Sequence, residues 1–199
     1  MELRLKIVNF LSKNIDRAFT INEIAKSLNE YYSFVHRLMG RLAKDGVVIK
    51  NKAGNSYLCS LNLKNEKTTV LLQLSEIESM NEFYSKNREI KLLLENFIKS
   101  LNPESIITAA LFGSYAKNNA TKESDIDILV VTRRKINIDK ATKESYARYG
   151  KEINAVMMTP SEFKRQKGKE IIKEVITNHY VLFGAENFVR MVFGWDRKT

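Results

Sequence analysis

The chain has 199 residues, 44% of them hydrophobic, and a formal net charge of +10. That apolar share builds one medium core or two small ones and excludes a wholly disordered chain. A pI near 9.6 favours polyanionic partners such as nucleic acid, nucleotides or an acidic protein, although dispersed lysines that merely solvate a surface give the same value. The single cysteine, Cys59, excludes an intrachain disulfide and a zinc site of several thiolates. No apolar run approaches the ~20 residues that cross a bilayer, and the start MELRLKIVNFLSKN is charged where a signal peptide would be apolar. The expectation is a cytoplasmic protein with no membrane partner.

From Met1 to about Leu63 the pattern reads helix, helix, turn, helix, hairpin. Leu3, Leu5, Ile7, Val8 and Leu11 mark the apolar face of the first helix. Thr20 and Glu23 stand in capping-box spacing at the start of the second. In YYSFVHRLMGRLAKDG, Phe34, Val35, Leu38 and Leu42 recur at helical spacing, and Gly46 sits where a third helix should stop. Extended runs on either side of Lys52 to Asn55 predict a hairpin. This order resembles the winged helix-turn-helix family. The resemblance implies that a helix from about Tyr31 to Lys44 enters the major groove of double-stranded DNA, with Tyr32, Ser33, His36 and Arg37 toward base edges and phosphates. Lys50, Lys52 and Asn55 would lie on the wing. Residues 1–63 carry 10 Lys plus Arg against 5 Asp plus Glu, a net +5, which suits a surface facing phosphates. A protein-interaction module of the same fold is the alternative.

Residues 64–85 read as a helical connector, and residues 86–199 as a second domain. TVLLQLSEIESMNEFY and NREIKLLLENFIKSL both space apolar residues by three and four, as at Ile90, Leu93, Leu94 and Phe97. One of these helices connects the domains and could also pair with its copy in a homodimer.

After Pro103 the period changes. SIITAALFG, SDIDILVVT and EINAVMMT are strand-like, Thr159, Pro160 and Glu162 mark a helix start, and YVLFG and AENFVRMV follow as a strand and a helix. The fold class expected is α+β: an N-terminal winged helix-turn-helix, a helical connector, and a C-terminal α/β domain with a small mixed sheet.

Residues two apart on a strand share a face, so Asp125 and Asp127 are aimed at one spot. Paired carboxylates repel unless a cation lies between them, and hard oxygen ligands suit Mg²⁺ or Mn²⁺. Magnesium fills its other positions with water and phosphate oxygens, which points to a nucleoside triphosphate. Gly113 leaves room for phosphate to approach the backbone, Ser114 offers a hydroxyl, and Lys117 and Lys122 could offset phosphate charge.

Gly113-Ser114, ten intervening residues, and Asp125-Ile126-Asp127 resemble the GS-x10-DxD motif of minimal nucleotidyltransferases in the DNA polymerase beta-like superfamily. By that resemblance Gly113 and Ser114 hold the triphosphate, with Lys117 beside them in sequence as a further nucleotide-binding candidate; Asp125 and Asp127 hold metal, and an acceptor hydroxyl attacks the α-phosphate of an NTP, ATP being the one expected. The acceptor could belong to a protein, since minimal members resemble antitoxins that modify a partner toxin. Family members carry a third carboxylate on the following strand. Here Asn154 aligns with it, and a shifted register would bring in Glu152 instead. The alternative function is a DNA-binding transcription regulator whose degenerate nucleotidyltransferase domain only senses nucleotide. No Walker A, GxGxxG or HExxH pattern offers another chemistry.

Overall fold

The computed structural model describes residues 1–102 and 104–194. They fall into two compact units, Met1–Glu78 and a second beginning at Ser79.

The first unit opens with α1 (Leu3–Lys13), a two-residue strand β1 (Phe19–Thr20), α2 (Ile21–Leu28) and α3 (Tyr32–Lys44). The hairpin β2 (Val48–Ala53) and β3 (Ser56–Leu61) turns on Gly54, which adopts φ +57°, a left-handed value that glycine takes without strain. The capping box forms: Glu23 donates its amide to the Thr20 hydroxyl at 3.2 Å, and the Glu23 carboxylate accepts from the Thr20 amide at 2.7 Å. Strand β1, which the sequence pattern did not reveal, extends the sheet to the order β1-β3-β2, all antiparallel. Leu5, Ile7, Val8 and Leu11 of α1 are buried as their spacing predicts. On α3 the buried positions are Val35, Met39 and Leu42. Phe34, expected on that inward face, is 46% exposed, because the helix phase that buries Val35 and Met39 turns Phe34 outward.

The long helix α4 (Glu66–Lys86) contains the division between the units, and α5 (Arg88–Ser100) follows. The second unit continues as β4 (Ile106–Phe112), α6 (Gly113–Ala116), β5 (Ile126–Thr132), α7 (Asp139–Tyr149), β6 (Ile153–Met158), α8 (Pro160–Gln166), α9 (Glu170–Thr177), β7 (Tyr180–Phe183) and α10 (Ala185–Phe193). Its sheet has the order β6-β5-β4-β7, with β5 and β6 parallel and the other pairings antiparallel, so it is small and mixed.

Period-two alternation along β5 divides two cores. Ile126, Ile128 and Val130 pack with Leu93, Leu94 and Phe97 of α5 and Ala141 of α7. Leu129 and Val131 pack with Phe163 of α8, Ile172 and Val175 of α9, and Phe188 of α10. The segment after Pro160, expected as one helix, is two, and the break falls at Gly168 between α8 and α9. Helix α7 was not evident from the sequence, since its buried residues are only Ala141 and Ser145.

Candidate active site

The site forms where β4, β5 and β6 meet. Phe112, the last residue of β4, pairs with Asp127 across the antiparallel ladder, and Asp127 pairs with Asn154 across the parallel one. One carboxylate therefore lies between two neighbouring strands.

Gly113 follows with φ +71°, and a Cβ added there would sit 2.1 Å from Asp127 Oδ2. Its missing side chain is occupied by the aspartate. Ser114 and Lys117 follow on and just after α6, and the loop folds back through amide bonds from Lys117 to the Gly113 carbonyl and from Asn119 to the Ser114 carbonyl, both 3.1 Å. Asp125 is exposed just ahead of β5, while Asp127 is half-buried.

Asn154 Nδ2 donates to Asp127 Oδ1 at 3.1 Å. The shifted register that would replace Asn154 with Glu152 does not form. Glu152 precedes β6, accepts the Ile126 amide on its backbone carbonyl at 2.9 Å, and lines a groove with Thr142, Lys143 and Tyr146 of α7. Asn154 is thus the group beside Asp127, and a neutral amide is too weak a base to take a proton.

Two residues not singled out from the sequence complete the surroundings. Glu174 of α9 forms a 2.6 Å ion pair with Lys117. Lys151, just before β6, donates through Nζ to the Lys122 carbonyl and lies 6.0 Å from the Tyr115 ring centroid, tying the loop after α6 to the edge of β6. No local signal marks either one, because both arrive from elements remote in sequence.

The Asp127 carboxyl is pushed above its ordinary pKa, first by burial and then by the negative charges of Asp125 and Glu174, while the Asn154 hydrogen bond and Lys117 pull it down. A carboxylate held in surplus negative charge attracts a cation. Among the described residues no three acidic, histidine or cysteine side chains converge into a ready-made metal cluster.

On the first unit, Tyr32, Ser33, His36 and Arg37 are all exposed on α3, while Lys52 and Asn55 are exposed on the hairpin and Lys50 is half-buried there. Lys50 Nζ stands 4.6 Å above the Tyr57 ring, and the Tyr32 and His36 rings lie 5.6 Å apart. Tyr31 and Phe34, which the sequence did not single out as contact residues, are exposed beside them. Among the described residues no helix is long and apolar enough to cross a membrane.

A glycine turn seats an aspartate, with a second carboxylate two residues away at the mouth of a mixed sheet, as the GS-x10-DxD spacing of a nucleotidyltransferase leads one to expect. The comparison with known proteins agrees: the family model described as "Nucleotidyltransferase domain" matches residues 93–181. A Methanocaldococcus jannaschii protein, the candidate protein adenylyltransferase MJ0604, is 36% identical over 90 residues, which are 44% of this chain and 89% of that protein. Another from the same organism, the candidate protein adenylyltransferase MJ1305, is 26% identical over 48% of this chain and 73% of its own length. The chain belongs to the nucleotidyltransferase family. Among solved structures, a chain of a toxin-antitoxin crystallised with AMP-PNP aligns with a TM-score of 0.40 at 18% identity, over 52% of this chain and 81% of that one.

Proposed function

We propose that the second unit binds a nucleoside triphosphate, ATP above all, with Mg²⁺ or Mn²⁺, and transfers the nucleoside monophosphate to a hydroxyl on a protein. The packing of Asp127 against Gly113, with Asp125 two residues away, carries this reading. Asp125 and Asp127 would hold the cation, with the Asn154 amide able to contribute its oxygen after a flip. Gly113, Ser114 and Lys117 would hold the triphosphate. When bound, the cation offsets charge on the phosphates and makes the α-phosphorus more electrophilic. The acceptor oxygen bonds to the α-phosphorus, the bond to the bridging oxygen of the β-phosphate breaks, pyrophosphate leaves, and the hydroxyl proton passes to a carboxylate or water at the site. The candidate adenylyltransferase relatives, which take their name from protein acceptors, favour a protein hydroxyl here.

The first unit we read as a winged helix-turn-helix that binds double-stranded DNA, with residues 1–63 as that domain, 64–85 as the connector and 86–199 as the transferase domain. The support is the order of three helices and a hairpin, the exposed face of α3, and the net +5 of residues 1–63. A homodimer would let two such helices address two half-sites, and α4 carries Val70, Leu74 and Ile77 exposed at 62%, 39% and 48% in one outward line.

Asn154 favours a second reading. With a neutral amide beside Asp127, the domain could bind nucleotide and signal its presence to the DNA-binding unit without turnover. Incubation with α-labelled ATP and Mg²⁺ separates the two: labelled protein and released pyrophosphate support transfer, whereas saturable binding with no label incorporated supports sensing. If the double variant Asp125→Asn with Asp127→Asn still binds nucleotide with unchanged metal dependence, both readings of the cleft fail.

A further inference from the structure

The first turn of α3 exposes three aromatic rings. Tyr31 is 77%, Tyr32 52% and Phe34 46% exposed, although this short helix is already anchored by buried Val35, Met39 and Leu42. Tyr31 is also the N-cap residue and makes no side-chain cap bond. Ser, Thr, Asp or Asn at that position would satisfy an open amide and stabilise the helix. Local stability does not explain an exposed aromatic there, and clustered exposed rings mark a surface that meets something.

The cluster is ordered. The Tyr31 and Phe34 rings stand edge to face at 5.9 Å and 88°, and the Arg37 guanidinium lies over Phe34 at 5.5 Å from its centroid. A guanidinium stacked on a ring keeps its in-plane N–H donors available for an anion. Charge identifies the partner further. Between residues 26 and 44 stand Lys26, Arg37, Arg41 and Lys44 against the single acid Glu30, which is engaged by Lys6 at 3.0 Å. An apolar tip on a helix whose exposed charges are mostly cationic fits a polyanion that also presents apolar groups. Duplex DNA does so in its major groove, where the thymine C5-methyl is the one apolar feature among hydrogen-bonding edges.

We infer that Phe34, braced by Tyr31, reads thymine methyl groups, with Arg37 behind it on phosphate or a neighbouring base. The inference rests on the DNA-binding reading above and adds the chemical feature that is recognised.

The test uses the full chain. Duplexes are enriched from a random-sequence pool, and affinity for the enriched duplex is compared with that of the same duplex carrying deoxyuridine for thymidine, which removes only the methyl groups. The wild type should lose about fivefold or more in affinity, in line with the worth of one good base contact. Phe34→Ala should bind both duplexes at the weaker level, and Phe34→Leu should recover part of the preference for thymidine. Far-UV circular dichroism should show Phe34→Ala as helical as the wild type. Equal binding of both duplexes by the wild type overturns the inference. Salt-dependent binding without any enriched sequence also overturns it, while leaving the DNA-binding reading in place. Absence of binding to every duplex removes both and leaves a protein partner for this surface.

Discussion

Gly113 and Asp127 share one small volume: the aspartate Oδ2 stands 2.1 Å from where a Cβ on residue 113 would be. The turn that ends β4 and the carboxylate on β5 are therefore a single device, and neither can change alone. Gly113→Ala should displace Asp127 and impose a left-handed φ on alanine, costing about 1–3 kcal/mol. Urea denaturation should show that loss, and calorimetric titration with ATP and Mn²⁺ should show binding reduced by at least an order of magnitude.

Asp127 also sets a pH dependence. Its carboxyl is raised by burial and by Asp125 and Glu174, so between the unfolded and folded pKa values the folded protein holds the extra proton. Stability falls as pH rises through that window. Asp127→Asn should accordingly raise Tm above the window in the absence of divalent cation, with the gain shrinking as pH falls toward the ordinary carboxylate range. Added Mg²⁺ should raise Tm of the wild type and leave the variant unmoved. Thermal scans at two pH values, with and without Mg²⁺, measure all of this.

Asn154 lies across the parallel ladder from Asp127 and hydrogen-bonds to it. Asn154→Asp would place a third carboxylate there, able to bind metal and accept a proton. Labelled product from ATP should rise about 10²-fold if proton transfer limits the wild type, while Tm in EDTA should drop from added repulsion. No gain in product would assign the limit to another step.

The ion pair between Lys117 and Glu174, at 2.6 Å, engages a cation whose charge acts on Asp127. Glu174→Gln should release Lys117 toward phosphate and remove one negative charge near Asp127. ATP affinity should increase several-fold, as read by competition with a fluorescent analogue, whereas Lys117→Met should weaken it.

On the first unit, Arg37→Ala and Lys52→Ala should each weaken duplex binding and lower the slope of log affinity against log salt by about 1. For the homodimer, Leu74→Glu should hold the chain monomeric in sedimentation at concentrations where the wild type associates. Leu74 is 39% exposed, so the fold should survive the change, and wild-type monomer throughout would refute the association.

Much of the molecule could be read from short-range spacing. The Thr20–Glu23 and Thr159–Glu162 capping boxes formed as their three-residue spacing requires, and the alternation of β5 put Asp127 opposite in phase to Ile126 and Ile128. Where the spacing misled, the reason was packing. Phe34 and Leu38 fit one helical face by their four-residue spacing, and only the docking of α3 chose Val35, Met39 and Leu42 for the core instead. Helix α7 buries only Ala141 and Ser145, residues too small to write an apolar period.

The chain by itself determined that two carboxylates and a glycine turn would lie at the ends of adjacent strands, because the two-residue period of a strand and the left-handed tolerance of glycine are properties of the backbone. The tertiary structure alone decided which residues surround them. Asn154 reaches Asp127 through the register of a parallel pairing 27 residues away in sequence, and Glu174 and Lys151 arrive from a helix and a strand edge. Registers and helix docking are chosen to bury apolar area and leave few polar groups unpaired over the whole domain, so no window of local sequence contains them.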